Sequence, residues 1–145
     1  MDKIKVKLLR DGAQMPTYGS AEAAGADLYV CLDAPVEIQP GCTAMLPTGV
    51  AMEIPSGCAG LVFARSSMGA KRDLAPANKV GVIDSDYRGE IRVALHNHGL
   101  RPQMVQPGER VAQLVIVPVY TPGFSQVKEL DETERGIGGF GSTGK

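Results

Sequence analysis

The sequence predicts an all-β sandwich or barrel, on three observations. Glycine (18) and proline (10) are spread so evenly that the longest stretches free of both are 1–11 and 124–135. Both residues disfavour helix interiors, so no long helix fits anywhere. Short apolar runs also recur between turn signals at Pro35, Pro40-Gly41, Pro47, Pro55-Ser56-Gly57, Pro102 and Pro107-Gly108. Such punctuation belongs to a chain of many short strands. Finally, several runs alternate apolar and polar residues, the period of a strand with one wet face.

The elements follow in order. Residues 3–9 (KIKVKLL) set Ile4, Val6 and Leu8 against Lys3, Lys5 and Lys7. Further strands are expected over 27–32, 43–46, 50–54, 58–64, 79–83 and 90–95. The run 111–117 (VAQLVIV) is almost continuously apolar after Gln113 and is expected to be buried on both faces. One short helix is expected near 66–73 (SSMGAKRD), with Ser66 or Ser67 as its N-cap. The end of the chain differs. Residues 128–135 (KELDETER) are charged, and 136–144 (GIGGFGSTG) hold five glycines in nine positions. A segment of that kind buries little surface by itself and is expected to be mobile in the free protein. The chain therefore divides into a β-barrel body over 1–133 and a flexible tail over 134–145. Phe140, one of three Phe, sits among glycines with Ser142 and Thr143 close behind, which suits a lid that orders over a ligand.

Composition narrows the function. With 145 residues, 43% hydrophobic and 21% charged, this is one soluble globular domain. Lys plus Arg number 15 against 16 Asp plus Glu, so no basic excess exists to hold a nucleic acid. Aromatic residues are 5% and Trp is absent, so the core must be aliphatic and would gain from burial in an oligomer. Cys31, Cys42 and Cys58 form no CxxC, and the opening MDKIKVK has no apolar signal region. This reads as a reducing, cytoplasmic compartment, with the thiols buried as small hydrophobes. No apolar run approaches the ~18 residues of a membrane helix.

Several segments carry chemistry. Residues 139–145 (GFGSTGK) imitate half of a Walker A loop, but the strand and helix that its mechanism needs are missing. Glycine-rich backbone with hydroxyls can still wrap an anion. Residues 81–89 read as a hairpin where Asp84, Asp86 and Glu90 crowd together near Arg88 and Arg92. That is either a solvated polar turn or a general base able to take a proton from water. At 64–69 (ARSSMG) an arginine and two hydroxyls meet a helix start, either an ordinary cap or a phosphate contact. His96 and His98 share one strand face, but no third zinc ligand is evident, which favours a structural or surface role. The GxSxG elbow and the HExxH zinc motif are absent.

In order, the segments AGADLY (24–29), ARSSMG (64–69), GVIDSDYRGEI (81–91), GERVAQLV (108–115) and RGIGGFGSTG (135–144) resemble the five motifs of the trimeric deoxyuridine triphosphatase (dUTPase) family. The resemblance implies a jelly-roll-like subunit in a homotrimer with shared active sites, the tail closing over a neighbour's site. It implies hydrolysis of dUTP to dUMP and pyrophosphate with Mg²⁺, which clears dUTP from the nucleotide pool and supplies dUMP for dTMP synthesis. Asp84 matches the base that activates the attacking water. Arg65, Ser66, Ser67 and Gln113 match the phosphate-binding positions, and Ser67 stands where many relatives carry Gly. Asp27 matches a carboxylate that acts on the metal through water. Asn78, Gly81, Val82 and Ile83 match the segment that reads the uracil edge, and Tyr87 the ring that excludes a 2′-hydroxyl. Arg135, Phe140, Gly141, Ser142 and Thr143 match the lid, with Phe140 over the uracil. A dCTP deaminase of the same fold would need a catalytic Glu at the base. A binding module that had lost catalysis would be expected to lack Asp84 or the lid.

Overall fold

The structure, a computed structural model, describes residues 3–140. The strands are β1 (Lys5–Leu8), β2 (Thr17–Tyr18), β3 (Ala26–Tyr29), β4 (Val36–Ile38), β5 (Thr43–Pro47) and β6 (Val50–Glu53). They continue with β7 (Cys58–Ala64), β8 (Leu74–Pro76), β9 (Gly81–Ile83), β10 (Arg92–Asn97), β11 (Gln103–Val105) and β12 (Arg110–Pro118). One helix, α1 (Ser66–Arg72), lies between β7 and β8. The all-β expectation with one short helix is met. Four strands, β2, β4, β8 and β11, had no sequence signal of their own. Each is two or three residues long, too short for a period of two to show.

A five-stranded sheet in the order β2-β3-β12-β7-β9 opposes a three-stranded sheet, β5-β10-β8, and the pairs β1-β6 and β4-β11 complete the body. β12 is central because it is the longest strand and pairs antiparallel with both β3 and β7. Val111, Ala112 and Leu114 are buried, whereas 115–117 are only half-buried, so two-faced burial holds for the first half of the run. In β10, Val93, Leu95 and Asn97 point inward between Arg92, Ala94 and His96. The core is aliphatic, as the composition requires; Leu28, Ile38, Leu46, Leu74 and Leu95 are its largest fully buried apolar side chains. Buried Asn97 gives both amide hydrogens to backbone carbonyls, Ile38 at 2.9 Å and Arg101 at 2.7 Å.

Several expectations need correction. Val6 in β1 and Ile4 just before it pack on the core, but Leu8 stays exposed. The N-cap of α1 is Arg65, in extended conformation and without a side-chain cap bond, so Ser66 and Ser67 lie in the first helical turn. The helix ends at Asp73, which adopts the left-handed conformation and returns its N–H to the Met68 carbonyl. Cys42 is exposed and Cys31 half-buried, so the expected burial of all three thiols fails; half-buried Cys58 alone packs against the core. Residues 81–89 are not a hairpin. β9 pairs with β7, whereas β10 pairs with β5 and β8. The segment between them therefore crosses from one sheet to the other. The crossing is fixed by buried Thr48, whose hydroxyl donates to the Ile91 carbonyl at 2.6 Å. Beyond Pro118, residues 119–140 form no strand or helix and are mostly exposed.

Candidate active site

The register of the five-stranded sheet assembles the first cluster. Gln113 on β12 lies opposite Asp27 on β3 and opposite Phe63 on β7. Residues directly opposite share a face, and so do residues two apart on one strand. Asp27, Gln113 and Arg65, just past the end of β7, therefore converge. Arg65 Nε donates to Asp27 Oδ1 at 2.7 Å, and Arg110 Nη1 donates to Asp27 Oδ2 at 3.2 Å. Asp27 is buried and both of its oxygens face guanidiniums. Arg65 Nη1 also reaches Ser67 Oγ at 3.5 Å, and the Ser66 and Ser67 side chains remain open to solvent. Gln113 Nε2 donates to the Ala64 carbonyl at 2.9 Å. Its amide occupies the space where a Cβ on Gly25 would stand, so glycine there makes room for Gln113. The cluster offers two guanidiniums, two hydroxyls and an amide, a donor set for an anion.

The second cluster surrounds a cavity of about 340 Å³ between the two sheets. Asn78, Gly81, Val82, Ile83 and Tyr87 line it, together with Met45, Val62, Pro76 and residues 90–94. The wall is mostly apolar, with the exposed Asn78 amide on the turn between β8 and β9. Asn78 can donate and accept, as a flat heterocycle edge requires. Asp84 follows β9 directly, exposed, at the head of a turn closed by Tyr87 N–H to the Asp84 carbonyl at 3.2 Å. Glu90 is anchored to the body of the fold. Its Oε1 accepts from Arg10 Nη2 at 2.6 Å and from Gly49 N–H at 2.8 Å.

The expected residues thus fall into two groups. Asp27, Arg65, Ser66, Ser67 and Gln113 are absent from the lining of the cavity, and so is Asp84, which stands just beyond Ile83 in the chain. Among the described residues Arg135 bonds only to its own turn, with Nε on the Gly138 carbonyl at 2.8 Å, and Phe140 is fully exposed. Gly141, Ser142 and Thr143, and the end of the Walker-like stretch, lie outside the described residues. Sequence reasoning missed Arg110 and the Arg10–Glu90 anchor. Arg110 stood inside a quoted motif, but its role needed the β3–β12 register. Arg10 is 80 positions from Glu90, and no local pattern joins them. His96 and His98 share a face as expected, with ring centroids 4.4 Å apart, and His96 Nδ1 bonds the Thr43 hydroxyl at 2.8 Å. Lost hydration, then the charges of Lys79 and His96, hold His98 below its ordinary pKa. Among the described residues no three His, Cys, Asp or Glu gather to hold a metal ion, and no helix is long and apolar enough to cross a membrane.

Comparison with known proteins gives a consistent picture. A family model described as dUTPase matches residues 11–144. The chain is 50% identical to the deoxyuridine 5'-triphosphate nucleotidohydrolase of Janthinobacterium sp. (strain Marseille), over 100% of this chain and 99% of that protein. It is 48% identical to the enzyme of the same name from Syntrophotalea carbinolica, over 97% and 96%. Among solved structures, the dUTPase of Staphylococcus bacteriophage 80alpha, a mutant with dUpNHpp, superposes with a TM-score of 0.91 at 31% identity over the full length of both chains. A mutant dUTPase from phage phi11 of S. aureus, described as coordinating a structural Mg(II) ion, gives a TM-score of 0.80 at 28% identity, over 88% of this chain and 98% of that one. These likenesses identify the β body as jelly-roll-like.

Proposed function

The chain belongs to the dUTPase family and hydrolyses dUTP, and we propose that Asp84 drives this reaction by activating water against the α-phosphate. The water oxygen bonds to the α-phosphorus as its proton passes to the Asp84 carboxylate. The bond from the α-phosphorus to the bridging oxygen breaks, and its electron pair leaves with pyrophosphate. The other product is dUMP, so the reaction clears dUTP from the nucleotide pool and supplies a precursor of dTMP. The observation that carries this reading is the cavity of about 340 Å³ lined by Gly81, Val82, Ile83 and Tyr87, with exposed Asp84 next in the chain after Ile83, outside the lining itself. Uracil enters there, read by Asn78 and the β9 backbone, and Tyr87 packs on the deoxyribose and refuses a 2′-hydroxyl. Arg65, Ser66, Ser67 and Gln113 bind phosphate oxygens, placing donors where charge grows in the transition state.

Magnesium belongs with the substrate. No protein cage is available among the described residues, and each Asp27 oxygen accepts one guanidinium bond, from Arg65 or Arg110, which leaves a lone pair for a water but not a direct metal ligand set. That donor set fits Mg²⁺ carried on the triphosphate and keeping its waters, with Asp27 reaching it through one of them. The ion would supply charge neutralisation on the phosphates.

We read the assembly as a homotrimer with shared sites, residues 1–133 forming the body and 134–145 the lid. Two observations support this. The phosphate cluster and the cavity do not share a lining. Tyr120, Phe124, Leu130, Ile137 and Phe140 are almost wholly exposed on a single chain, an apolar series that a second copy would cover. Arg135, Phe140, Gly141, Ser142 and Thr143 then close over a neighbour's bound nucleotide. The test is hydrolysis of each dNTP, with pyrophosphate measured. Turnover confined to dUTP upholds the reading. Equal turnover of another dNTP, or release of ammonia from dCTP, overturns it.

A further inference from the structure

We propose that Gly89 is a specificity-determining position, because the absence of its side chain is what seats the Tyr87 ring. This rests on the reading of Tyr87 as the sugar gate. The ring curls back over its own turn, and its hydroxyl donates to the Glu90 carbonyl at 2.9 Å. A Cβ built on Gly89 would lie 2.5 Å from Tyr87 Oη, 2.6 Å from Cζ and 2.9 Å from Cε2. These are collisions with the far half of a flat ring, which cannot bend aside while keeping its hydrogen bond. The backbone does not explain the glycine. Gly89 is not among the residues with positive φ, so alanine meets no strain there. The seat is also tied to the body, since the Glu90 carboxylate is held by Arg10 and by Gly49 N–H. Gly89 touches no reacting atom. It is a positioning residue, and any side chain there must displace the ring that stands beside the sugar.

The experiment compares wild type, Tyr87→Ala, Gly89→Ala and the double variant, each assayed for kcat/KM with dUTP and with UTP. Tyr87→Ala alone must raise the UTP/dUTP ratio; an unchanged ratio refutes the gate itself. Given that rise, Gly89→Ala should raise the ratio about tenfold or more, because a displaced ring no longer fills the 2′ position. In the Tyr87→Ala background the same substitution should change the ratio less than about twofold, since the clash has lost its partner. A general disturbance of the turn would instead act equally in both backgrounds, and that additive result overturns the proposal. So does a wild-type ratio in Gly89→Ala. If Gly89→Ala alone does not fold while the double variant does, the clash with the ring is upheld. If neither folds, the backbone itself demands glycine and the proposal fails.

Discussion

Replacing Asp27 by Asn probes the junction between fold and phosphate chemistry. Asp27 accepts from Arg65 at 2.7 Å and from Arg110 at 3.2 Å. The two pairs are not equal. The Arg65 side chain is 23% exposed, whereas that of Arg110 is 50% exposed. A covered, charge-assisted bond contributes roughly 1.5–3 kcal/mol, and an open ion pair about 0.5–1 kcal/mol. Asparagine keeps one acceptor for Arg65 at about half the strength and turns an NH₂ towards Arg110. The expected loss is about 2 kcal/mol. At roughly 2–4 °C per kcal/mol for a chain of this size, Tm should fall by about 4–8 °C. Unfolding is followed by calorimetry at one fixed protein concentration, because burial in an oligomer makes Tm concentration-dependent. The fall should be the same in EDTA and in Mg²⁺ without nucleotide, because the guanidiniums, not the metal, hold Asp27 in the free chain. The KM for dUTP should rise as Arg65 loses its anchor. A Tm within 1 °C of wild type, to order of magnitude no change, together with an unchanged KM, would refute the anchoring role of Asp27.

Two further outcomes are expected. Gly25→Ala should push Gln113 off the Ala64 carbonyl and lower kcat by about tenfold or more, as loss of a well-placed donor does; no further fall should appear in a Gln113→Ala background, and an additive fall would show that Gly25 serves only the backbone. A chain deleted for 134–145, mixed with Asp84→Asn, should regain activity that neither shows alone, since one site can take its base from the first and its lid from the second. No recovery after subunit exchange verified by mass spectrometry would count against shared sites.

The sequence carried the fold class because proline and glycine positions limit element length whatever the tertiary contacts. It marked β7 to the residue, since CAGLVFA is a long apolar run bounded by Gly57 and Arg65. It did not reveal β4 or β8, whose three residues are strands only because β11 and β10 pair with them. The 81–89 segment was misread as a hairpin for the same reason. Two strands adjacent in sequence look like partners, and only long-range pairing with β7, β5 and β8 sends them to separate sheets. Candidate site residues stand out through their motifs, but the side chains they bond to do not. Asp27 is expected to act on a metal through water, and nothing local announces that its direct partners are Arg65 and Arg110, 38 and 83 positions away. Glycine roles were equally hidden, because Gly25 and Gly89 matter for the side chains they admit, Gln113 and Tyr87.

If Asp84 activates a water that attacks the α-phosphate of dUTP, isotope-labelled water will show where its oxygen goes. Turnover in H₂¹⁸O, with both products read by mass spectrometry, should place one ¹⁸O in each dUMP and none in pyrophosphate. Asp84→Asn should bind dUTP and incorporate label about 10²–10⁴-fold more slowly, the range for loss of a general base, while Asp86→Asn should stay near wild type. Label in pyrophosphate would move the attack to another phosphorus, and wild-type labelling by Asp84→Asn would remove Asp84 from the reaction.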